Sequence, residues 1–535
     1  MIRDLRTRDT DAPLEADVVI VGAGPAGLTL AHELIGTGRR VLVLESGGFE
    51  LEEETQDLYR GALTGHQKTD IAWSRLRYFG GTTGHWGGHC LPLDEVDFGT
   101  VPGRTAAWPM SRADLDPYYA RAHEYCDLGA YDYAVDEDWT RRFGPQLDVD
   151  PADFTHVMMR QSGPTRFGAK YRGVFEDTRD VDVLLHANVT DIVPDAMGTR
   201  VKRLSVSTLD GRKAEVRARI FVLATGGIEN ARLLLNARTL SDQGLGNASD
   251  LVGRYFMDHP QGGIGFLHLN EPWDMGLFLG EKPTPDGVPS YYNLRPSDEA
   301  IRRDGLVNAT LWLTPIRLAT APPTKREQAR DARDGLKSLF GSTLRGKANP
   351  DFNRDLCDAL IGVDELAASL VRERLGVYGV EPVDRKVLVR FESEQSPTPD
   401  SRVSLIGDTD PLGLNRVALD WRPAASDLEA LQRMGAMFGQ GFAAAGLGRF
   451  EFEDKEGLPY LNVGTAWHHM GTTRMSASPR QGVVDADMKL HGFGNLYVAG
   501  GSVFPSGGRS NPTLTIVALS VRLADHLKSI RISSL

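Results

Sequence analysis

The chain has 535 residues, of which 41% are hydrophobic and 25% are charged, as in ordinary soluble globular proteins. Its length exceeds a single hydrophobic core, so about two to four domains are expected. A formal net charge of -12 and a sequence pI near 5.6 argue against nucleic acid or an anionic membrane surface as the main partner.

The three cysteines, Cys90, Cys126 and Cys357, are widely spaced and form no CxxC motif. This usage fits a reducing compartment. The N-terminus has mixed charge and no apolar core of signal-peptide length, and no run approaches the roughly 20 apolar residues of a membrane span. We therefore expect a cytoplasmic protein with neither a membrane nor a nucleic acid as partner.

The first predicted strand covers residues 17–21, a β-branched apolar run of the kind buried on both faces of a sheet. It leads into a glycine-rich turn at residues 22–27 and then into a helix with an apolar face. A second strand is predicted over residues 41–44 and ends at Glu45. This order of elements, a strand, a glycine turn, a helix, a second strand and an acidic residue, predicts a dinucleotide-binding site. The bound dinucleotide could be FAD or NAD.

Each part of this unit has a physical role. Gly22 permits the tight turn, Gly24 lets the backbone approach a pyrophosphate, and Gly27 lets the helix pack closely on the strand. Glu45 lies 18 residues after Gly27 and is placed to accept hydrogen bonds from an adenosine ribose. A carboxylate there disfavours the 2′-phosphate of NADP.

A second glycine-rich segment, residues 80–88, is too rich in small residues for a packed helix or strand. Close backbone approach to a flat or charged group explains it better than a flexible loop, because it contains His85 and Trp86. Further strands are predicted over residues 186–193 and 220–227, the second followed by a helix. A nucleotide fold that is interrupted and resumed favours FAD over NAD.

Between residues 261 and 460 the pattern changes. Alternating residues at 386–391 and 416–421 predict strands of a largely antiparallel sheet. Residues 323–375 are charged and predicted to be helical. A solvated arm is the default interpretation of that segment, and a lid or an oligomer contact is the alternative.

The C-terminal segment brings together a histidine pair, a glycine turn and a helix start. His468 suits a general base because a neutral imidazole titrates near working pH. His469 is predicted to pack, since adjacent side chains on an extended segment point to opposite sides. By residue pattern alone, Asn511 is best explained as the N-cap of a helix that starts at Pro512.

Taken together and in order, these segments resemble the glucose-methanol-choline (GMC) oxidoreductases, and most of all the pyranose 2-oxidases and bacterial glycoside 3-oxidases. The segments that carry the resemblance are residues 22–27 with Glu45, 80–88, 224–232, 252–260, 396–403 and the C-terminal part. The resemblance implies an α/β fold with a Rossmann-like FAD-binding domain and a discontinuous substrate domain on a largely antiparallel sheet. The expected division is FAD-binding parts at residues 1–90, 185–260 and 461–535, with substrate-domain parts at residues 91–184 and 261–460.

For individual residues, the resemblance implies that His468 is the catalytic base and that Asn511 hydrogen-bonds the substrate oxygen. Gly84-His85-Trp86 is similar to the Thr-His-Trp of pyranose 2-oxidases, whose histidine is linked to the flavin; with glycine at 84, a covalent link and simple proximity of His85 both fit. The expected FAD-binding residues are Gly22, Gly24, Ala26, Gly27, Glu45, Gly81, Thr82, Thr83, His85, Trp86, Gly87, Val189, Thr225, Gly226, Asn230, Gly501, Ser502, Pro512 and Thr513.

The function that the resemblance implies is oxidation of a secondary ring hydroxyl of a sugar or glycoside, at C2 or C3, with dioxygen reduced to hydrogen peroxide. C-glycosides are included among the expected substrates. A dehydrogenase that passes electrons to a quinone or redox protein is the main alternative, and a lyase that keeps FAD without redox use is a third. No metal is expected, because the histidines lack zinc-motif spacing. The sequence is compatible with a homo-oligomer and with a monomer.

Overall fold

The computed structural model describes residues 1–8, 12–66, 71–99, 107–135, 137–271, 273, 275–316, 332–334, 336, 386–455, 458–459 and 463–531. All but four residues of the predicted helical segment 323–375 therefore lie outside the described residues. Its interpretations as a solvated arm and as a lid or oligomer contact both stay predictions.

The strands fall into two large sheets and two small ones. In chain order they are β1 (Ile2–Asp4), β2 (Leu14–Val21), β3 (Val41–Leu44), β4 (Ala62–Leu63), β5 (His89–Cys90), β6 (Phe154–Gln161), β7 (Val181–Leu185), β8 (Asn188–Pro194), β9 (Val201–Ser207), β10 (Lys213–Leu223), β11 (Pro260–Leu269), β12 (Lys282–Pro283), β13 (Pro289–Pro296), β14 (Ala309–Pro315), β15 (Lys386–Ser393), β16 (Arg402–Thr409), β17 (Asn415–Asp420), β18 (Gly448–Phe452), β19 (Asp454–Lys455), β20 (Leu458–Pro459), β21 (Gly464–Thr465) and β22 (Leu496–Val498).

The α-helices are α1 (Pro25–Glu33), α2 (Glu53–Asp57), α3 (Glu95–Phe98), α4 (Arg112–Tyr125), α5 (Glu137–Phe143), α6 (Phe167–Asp177), α7 (Gly226–Asn236), α8 (Asp298–Asp304), α9 (Ala425–Ala444) and α10 (Thr513–Ser529). Short 3₁₀ turns occur at Leu5–Thr7, Gly81–Gly84, Gly276–Phe278 and Gly501–Val503. Among the described residues, no helix is both long and apolar enough to cross a membrane.

The first large sheet has the strand order β1-β7-β3-β2-β10-β9-β8, and β22 also pairs with β10. Strands β1, β7, β3, β2, β10 and β22 pair parallel with one another, whereas β9 pairs antiparallel with both β10 and β8. Strands β2, β3, β7 and β22 and the C-terminal half of β10 are mostly buried, which explains their apolar runs. The predicted strand at 17–21, the helix after it and the strand at 41–44 correspond to β2, α1 and β3.

The second large sheet is antiparallel, with the order β18-β11-β15-β14-β13-β6-β5 and with β12 and β21 at its margins. One face of its central strands is apolar and buries Leu311, Val389 and Phe391 in a core that helix α9 completes. The opposite face carries polar residues, since Thr310 lies directly across from Glu392. The mixed α/β fold with a largely antiparallel second sheet is thus confirmed.

Three predicted strands differ from the structure. The strand predicted at residues 220–227 stops early, because β10 ends at Leu223 and α7 begins at Gly226. Residues 186–193 do not form one strand, because β7 ends at Leu185 and β8 begins at Asn188. His186 separates them with a φ of +54°, a left-handed conformation that interrupts an extended chain. The alternation at residues 416–421 predicts a strand of the antiparallel substrate sheet; instead β17 belongs to a small sheet of order β16-β17-β4, in which it pairs parallel with β4.

A buried charge cluster ties this small sheet to helix α7, which follows β10 of the first large sheet. The Arg232 guanidinium of α7 donates to Asp410 at 2.6 Å and to Glu229 at 3.2 Å, and both of these carboxylates are buried. Burial raises the pKa of Glu229, but Arg232, Arg75 and Arg77 outweigh it and lower that pKa to about 2. This lowered pKa stabilises the fold above about pH 4.3, the unfolded-state pKa, and the contribution is lost as the pH falls toward 2.

We predict that Arg232→Met lowers the free energy of unfolding by about 3–5 kcal/mol, because it removes the guanidinium that pairs with the buried Asp410 carboxylate, whereas Glu229 keeps Arg75 and Arg77. Chemical denaturation followed by circular dichroism measures the change. The matched control is Arg303→Met, whose side chain is 44% exposed, and its effect should stay within about 1 kcal/mol. Equal effects of the two substitutions would contradict the prediction.

Candidate active site

A cavity of about 530 Å³ lies where the carboxyl ends of the parallel strands meet the C-terminal segment. Its volume is in the range of small-molecule and cofactor sites. Its wall includes these predicted site residues: Gly22, Gly24, Ala26, Glu45, Gly81, Thr82, Thr83, His85, Trp86, Gly87, Val189, Thr225, Gly226, His468, Gly501, Asn511, Pro512 and Thr513. Residues that are far apart in the chain therefore surround a single space.

The first glycine turn opens directly onto this cavity. Gly22 has a φ of +104°, and the N–H of Gly22 donates to the Leu44 carbonyl at 2.8 Å. A Cβ placed on Gly24 would meet no protein atom within 4 Å. Helix α1 starts at Pro25 without a side-chain cap, so its first N–H groups are free for a ligand.

Glu45 ends strand β3, and its carboxylate is buried in the cavity wall. One oxygen accepts the N–H of Ala23 at 2.8 Å, and the other accepts the N–H of Gly47 at 2.9 Å. These bonds hold the first glycine turn. The oxygen that accepts from Gly47 also accepts the Ser46 hydroxyl at 3.3 Å, so a lone pair stays free on the other oxygen. The predicted ribose contact is therefore compatible with the geometry.

The second glycine segment packs on the first. The N–H of Gly80 donates to the Ala23 carbonyl at 2.8 Å, and a Cβ on Gly81 would lie 3.0 Å from the Cα of Gly24. A Cβ on Gly84 would lie 1.6 Å from the hydroxyl oxygen of Tyr78. Tyr78 thus fills the space that a side chain at position 84 would need.

Three helices start at the cavity, and none of them has a side-chain cap. Helix α1 follows Gly24, helix α7 follows Thr225 and helix α10 follows Pro512. Unpaired N–H groups and the positive ends of three helix dipoles therefore converge on one space. Such a site suits an elongated anionic ligand.

Three of the predicted cofactor residues lie behind the cavity wall instead of in it. A Cβ on Gly27 would lie 1.9 Å from the Gly22 carbonyl oxygen, so this glycine serves the contact between helix and strand. Asn230 accepts from Thr225 and donates to Ser502 and to the Ala499 carbonyl, both at 2.9 Å. The Asn230 and Ser502 side chains bond to each other, so they brace two cavity turns from behind.

His468 and Asn511 lie side by side at the C-terminal end of the cavity. The Nδ2 of Asn511 is 3.4 Å from the Nε2 of His468 and donates to Glu392 at 3.3 Å. Pro512 occupies the capping position of α10, and no side chain caps that helix. The N-cap interpretation of Asn511 is therefore wrong, because its amide is directed at His468 and Glu392.

The neighbours of His468 differ in their surroundings. Trp467 is 41% exposed and has a φ of +63°. The centroid of its ring lies 6.2 Å from the centroid of the His85 ring. His469 packs against Phe256 with ring centroids 5.6 Å apart, and burial lowers its pKa well below the ordinary value. His469 therefore packs as predicted, and it also lines the cavity.

Sequence reasoning missed three residues behind His468. Asp258 accepts the backbone N–H groups of His259 at 2.7 Å and of His468 at 2.8 Å, and the Nδ1 atoms of these two histidines are 2.8 Å apart. Glu392 Oε1 lies 3.6 Å from the Nδ1 of His468. Two sequence signals could have found these residues. Asp258 and His259 lie in segment 252–260, which carries the family resemblance, and the alternation of residues in β15 places Glu392 on its polar face.

His259, Glu392 and His468 also have ligand atoms within 4.8 Å of one another, as a metal site would. Two nitrogens on a tetrahedral zinc lie roughly 3.3 Å apart, given Zn–N bonds of about 2.0–2.1 Å. The 2.8 Å between the two Nδ1 atoms is instead an ordinary hydrogen-bond distance. We therefore describe the three residues as a hydrogen-bonded cluster, and no metal enters the proposed function.

Comparison with known families gives two matches. A family model described as FAD dependent oxidoreductase matches residues 17–243, and one described as GMC oxidoreductase matches residues 397–520. Both glycine segments fall in the first match. Glu392 lies outside the second match, whereas His468 and Asn511 lie within it.

Individual relatives agree with these matches. The chain is 26% identical to the fructose dehydrogenase large subunit of Gluconobacter japonicus, over 96% of this chain and 98% of that protein. It is 41% identical to the C-glycoside 3-oxidase of Microbacterium trichothecenolyticum over only 68 residues, which are 12% of this chain and 13% of that protein. Pyridoxine 4-oxidase from Mesorbium loti shares the fold, with a TM-score of 0.55 at 16% identity over 96% of this chain and all of that one.

The cavity fits FAD on features of its own. Room for a ligand exists where Cβ atoms are missing, since a Cβ on Gly24 or on Gly226 would meet no protein atom within 4 Å. The uncapped helix starts suit a pyrophosphate and an anionic ring. Glu45 suits a ribose, and His85 lies in the wall beside Trp86.

We predict that Gly24→Val yields folded protein with at least tenfold less bound flavin, because the new side chain enters the space that a pyrophosphate would need. Visible absorbance of the purified protein measures flavin content. Gly173→Val is the matched control: that glycine lies in α6, and a Cβ there also meets no protein atom within 4 Å. Normal flavin content in Gly24→Val would refute this placement of the cofactor.

The two family matches follow each other along the chain, they meet at one cavity, and that cavity has the features that FAD needs. The chain carries a GMC oxidoreductase domain at residues 397–520 together with an FAD-dependent oxidoreductase domain at residues 17–243, and it is an FAD-dependent oxidoreductase.

Proposed function

We propose that this enzyme oxidises a secondary ring hydroxyl of a sugar or glycoside, at C2 or C3, to a ketone, with dioxygen as the electron acceptor. C-glycosides are included among the proposed substrates. The class of substrate is supported by two relatives, the fructose dehydrogenase and the C-glycoside 3-oxidase. It is also supported by Glu392 on the polar face of the second sheet, which accepts a hydrogen bond from the cavity residue Asn511 at 3.3 Å.

The observation that carries the proposal is the pairing of His468 with Asn511 in the cavity wall. Their Nε2 and Nδ2 atoms are 3.4 Å apart, so one hydroxyl oxygen can contact both. Burial lowers the pKa of His468 to about 3, against the opposing effect of Glu392. The imidazole is therefore neutral at working pH and can accept a proton.

The chain's own residues then have distinct tasks. His468 accepts the hydroxyl proton at Nε2, and Asn511 holds the oxygen by its amide. When bound, FAD would supply the hydride acceptor for the carbinol carbon and the electrons for dioxygen. The start of helix α10, at Thr513, presents its free N–H groups to the same part of the cavity and favours negative charge there.

We infer that the polar face of the second sheet bounds the substrate space behind Asn511, which lines the cavity and donates to Glu392 at 3.3 Å. Glu392 and Thr310 face each other across β15 and β14, and Arg509 of the C-terminal segment donates to the Thr310 hydroxyl at 3.1 Å. This contact joins the polar sheet face to the segment that carries Asn511. Polar side chains on rigid strands can fix the orientation of a ring with several hydroxyl groups.

We predict that His468→Gln lowers the rate of anaerobic flavin reduction by substrate by about 10²–10⁴-fold, because the general base is lost. FAD content should be unchanged. Stopped-flow absorbance measures the rate, with glucose and a panel of glycosides as substrates. His491→Gln, whose ring bonds the Ser476 carbonyl at 3.0 Å, is the control and should keep the normal rate.

Loss of FAD from His468→Gln would instead assign His468 a structural role. If no sugar or glycoside bleaches the flavin of the unchanged enzyme, the proposed substrate class is wrong. The position of the product ketone, located by NMR, distinguishes C2 from C3 oxidation.

A dehydrogenase is the second candidate, and the full-length similarity to a fructose dehydrogenase subunit favours it. If the oxidase proposal holds, dioxygen should reoxidise the reduced enzyme at least tenfold faster than an equal concentration of a soluble quinone. Stopped-flow reoxidation with each acceptor measures this ratio. If the quinone reoxidises the reduced enzyme faster than dioxygen does, the enzyme is a dehydrogenase.

A further inference from the structure

His468 is in contact with a second histidine that reaches it from a different part of the chain. The Nδ1 atoms of His259 and His468 are 2.8 Å apart, and the two rings are nearly perpendicular, with centroids 4.9 Å apart. At this distance one nitrogen donates and the other accepts, so the two imidazoles share one proton between their Nδ1 atoms. His259 is fully buried, whereas the His468 side chain is 20% exposed.

The backbone fixes this contact. Asp258 accepts the N–H groups of both histidines through one carboxylate oxygen. Met257 and Met470 exchange two backbone hydrogen bonds, at 3.0 and 2.9 Å, one residue away from Asp258 and His469. The two rings are therefore held together by the fold and do not meet by chance rotation.

A single carboxylate faces both rings. Glu392 Oε1 lies 3.5 Å from the Nδ1 of His259 and 3.6 Å from the Nδ1 of His468. Burial raises the pKa of Glu392, but its bond to His259 and the charges of His468, His259 and His89 outweigh burial and lower that pKa. A carboxylate anion therefore lies beside the shared proton.

The two histidines respond differently to these surroundings. Burial lowers the pKa of His259, but Glu392 and Asp258 more than offset it, and the pKa is raised above the ordinary value. For His468, burial prevails and the pKa falls to about 3. An additional proton is therefore more stable on His259 than on His468.

We propose that His259 receives the proton that His468 takes from the substrate, so that the two histidines form a relay with Glu392 as its counter-ion. This inference rests on the proposed function, since it assumes an alcohol at His468. The substrate O–H bond breaks as the Nε2–H bond of His468 forms. The Nδ1–H bond of His468 then breaks as the Nδ1–H bond of His259 forms, and no electron is transferred in either step.

The relay leaves His468 neutral and the positive charge on His259 beside Glu392. His259 acts through His468 and does not touch the substrate, so it is a positioning residue. The ionisable groups that face the pair are Glu392 from β15, Asp258 beside β11 and His89 from β5. The relay requires His259 to be neutral before the substrate reacts. The rate of flavin reduction should therefore increase with rising pH and reach a plateau. The apparent pKa of this transition should be higher than the pKa of an ordinary histidine.

The first test is the pH profile of anaerobic flavin reduction in the holoenzyme. Glu392→Gln should lower the apparent pKa by roughly one unit or more, since it removes the anion that stabilises the charged pair. His259→Gln should remove this transition and lower the limiting rate by about tenfold or more, while FAD content stays normal. His156→Gln, at a half-buried histidine that bonds the Leu147 carbonyl at 3.0 Å, is the control and should leave the profile unchanged.

An unchanged pKa in Glu392→Gln overturns the relay, and so does an unchanged profile in His259→Gln. The Glu392 variant keeps the test decisive if the His259 variant does not fold.

The second test needs no substrate and so separates this proposal from the proposed function. Proton NMR of the holoenzyme should show a strongly downfield imidazole N–H resonance that disappears in His259→Gln and in His468→Gln but not in His156→Gln. If the resonance is present and no sugar reduces the flavin, the relay stands and the proposed substrate class fails. If sugars reduce the flavin and the resonance is absent, or if stoichiometric metal is found in the purified protein, the relay is overturned and the proposed function stands.

Discussion

Direct packing of backbone on backbone is the constraint on which the rest of this structure depends. The two glycine segments touch at Gly24 and Gly81, and a Cβ on Gly227 would lie 2.2 Å from the carbonyl oxygen of His469. Because side chains are missing at these contacts, three helix starts and the C-terminal segment reach one cavity. The cavity thus has a wall of free N–H groups, and its chemistry is that of the main chain as much as of side chains.

The sequence predicted the parts of the fold that depend on local pattern. Strands β2 and β3 and helix α1 follow from continuous apolar runs and a glycine turn, which are features of neighbouring residues. The division of residues 186–193 into two strands depends on a left-handed His186, and the sheet that β17 joins depends on the distant strand β4. Such choices are made by tertiary contacts, which a single sequence does not reveal.

The same distinction holds for the site. His468 and Asn511 stand in a recognisable C-terminal segment, so their association could be predicted, although the N-cap alternative had the better local argument. His259 and Glu392 could not be added in that way, because they come from positions 209 and 76 residues before His468. Their meeting depends on the pairing of β11 with β15 and on the backbone bonds around Asp258.

The contact between Tyr78 and position 84 has a consequence for how this protein can change over generations. The tyrosine hydroxyl occupies the place of a side chain at Gly84, immediately before His85. A lineage can therefore acquire a larger residue at 84 only after, or together with, the loss of the ring at 78. A descendant that gained a side chain at position 84 while keeping Tyr78 would have to move the adjacent histidine, which lines the cofactor cavity.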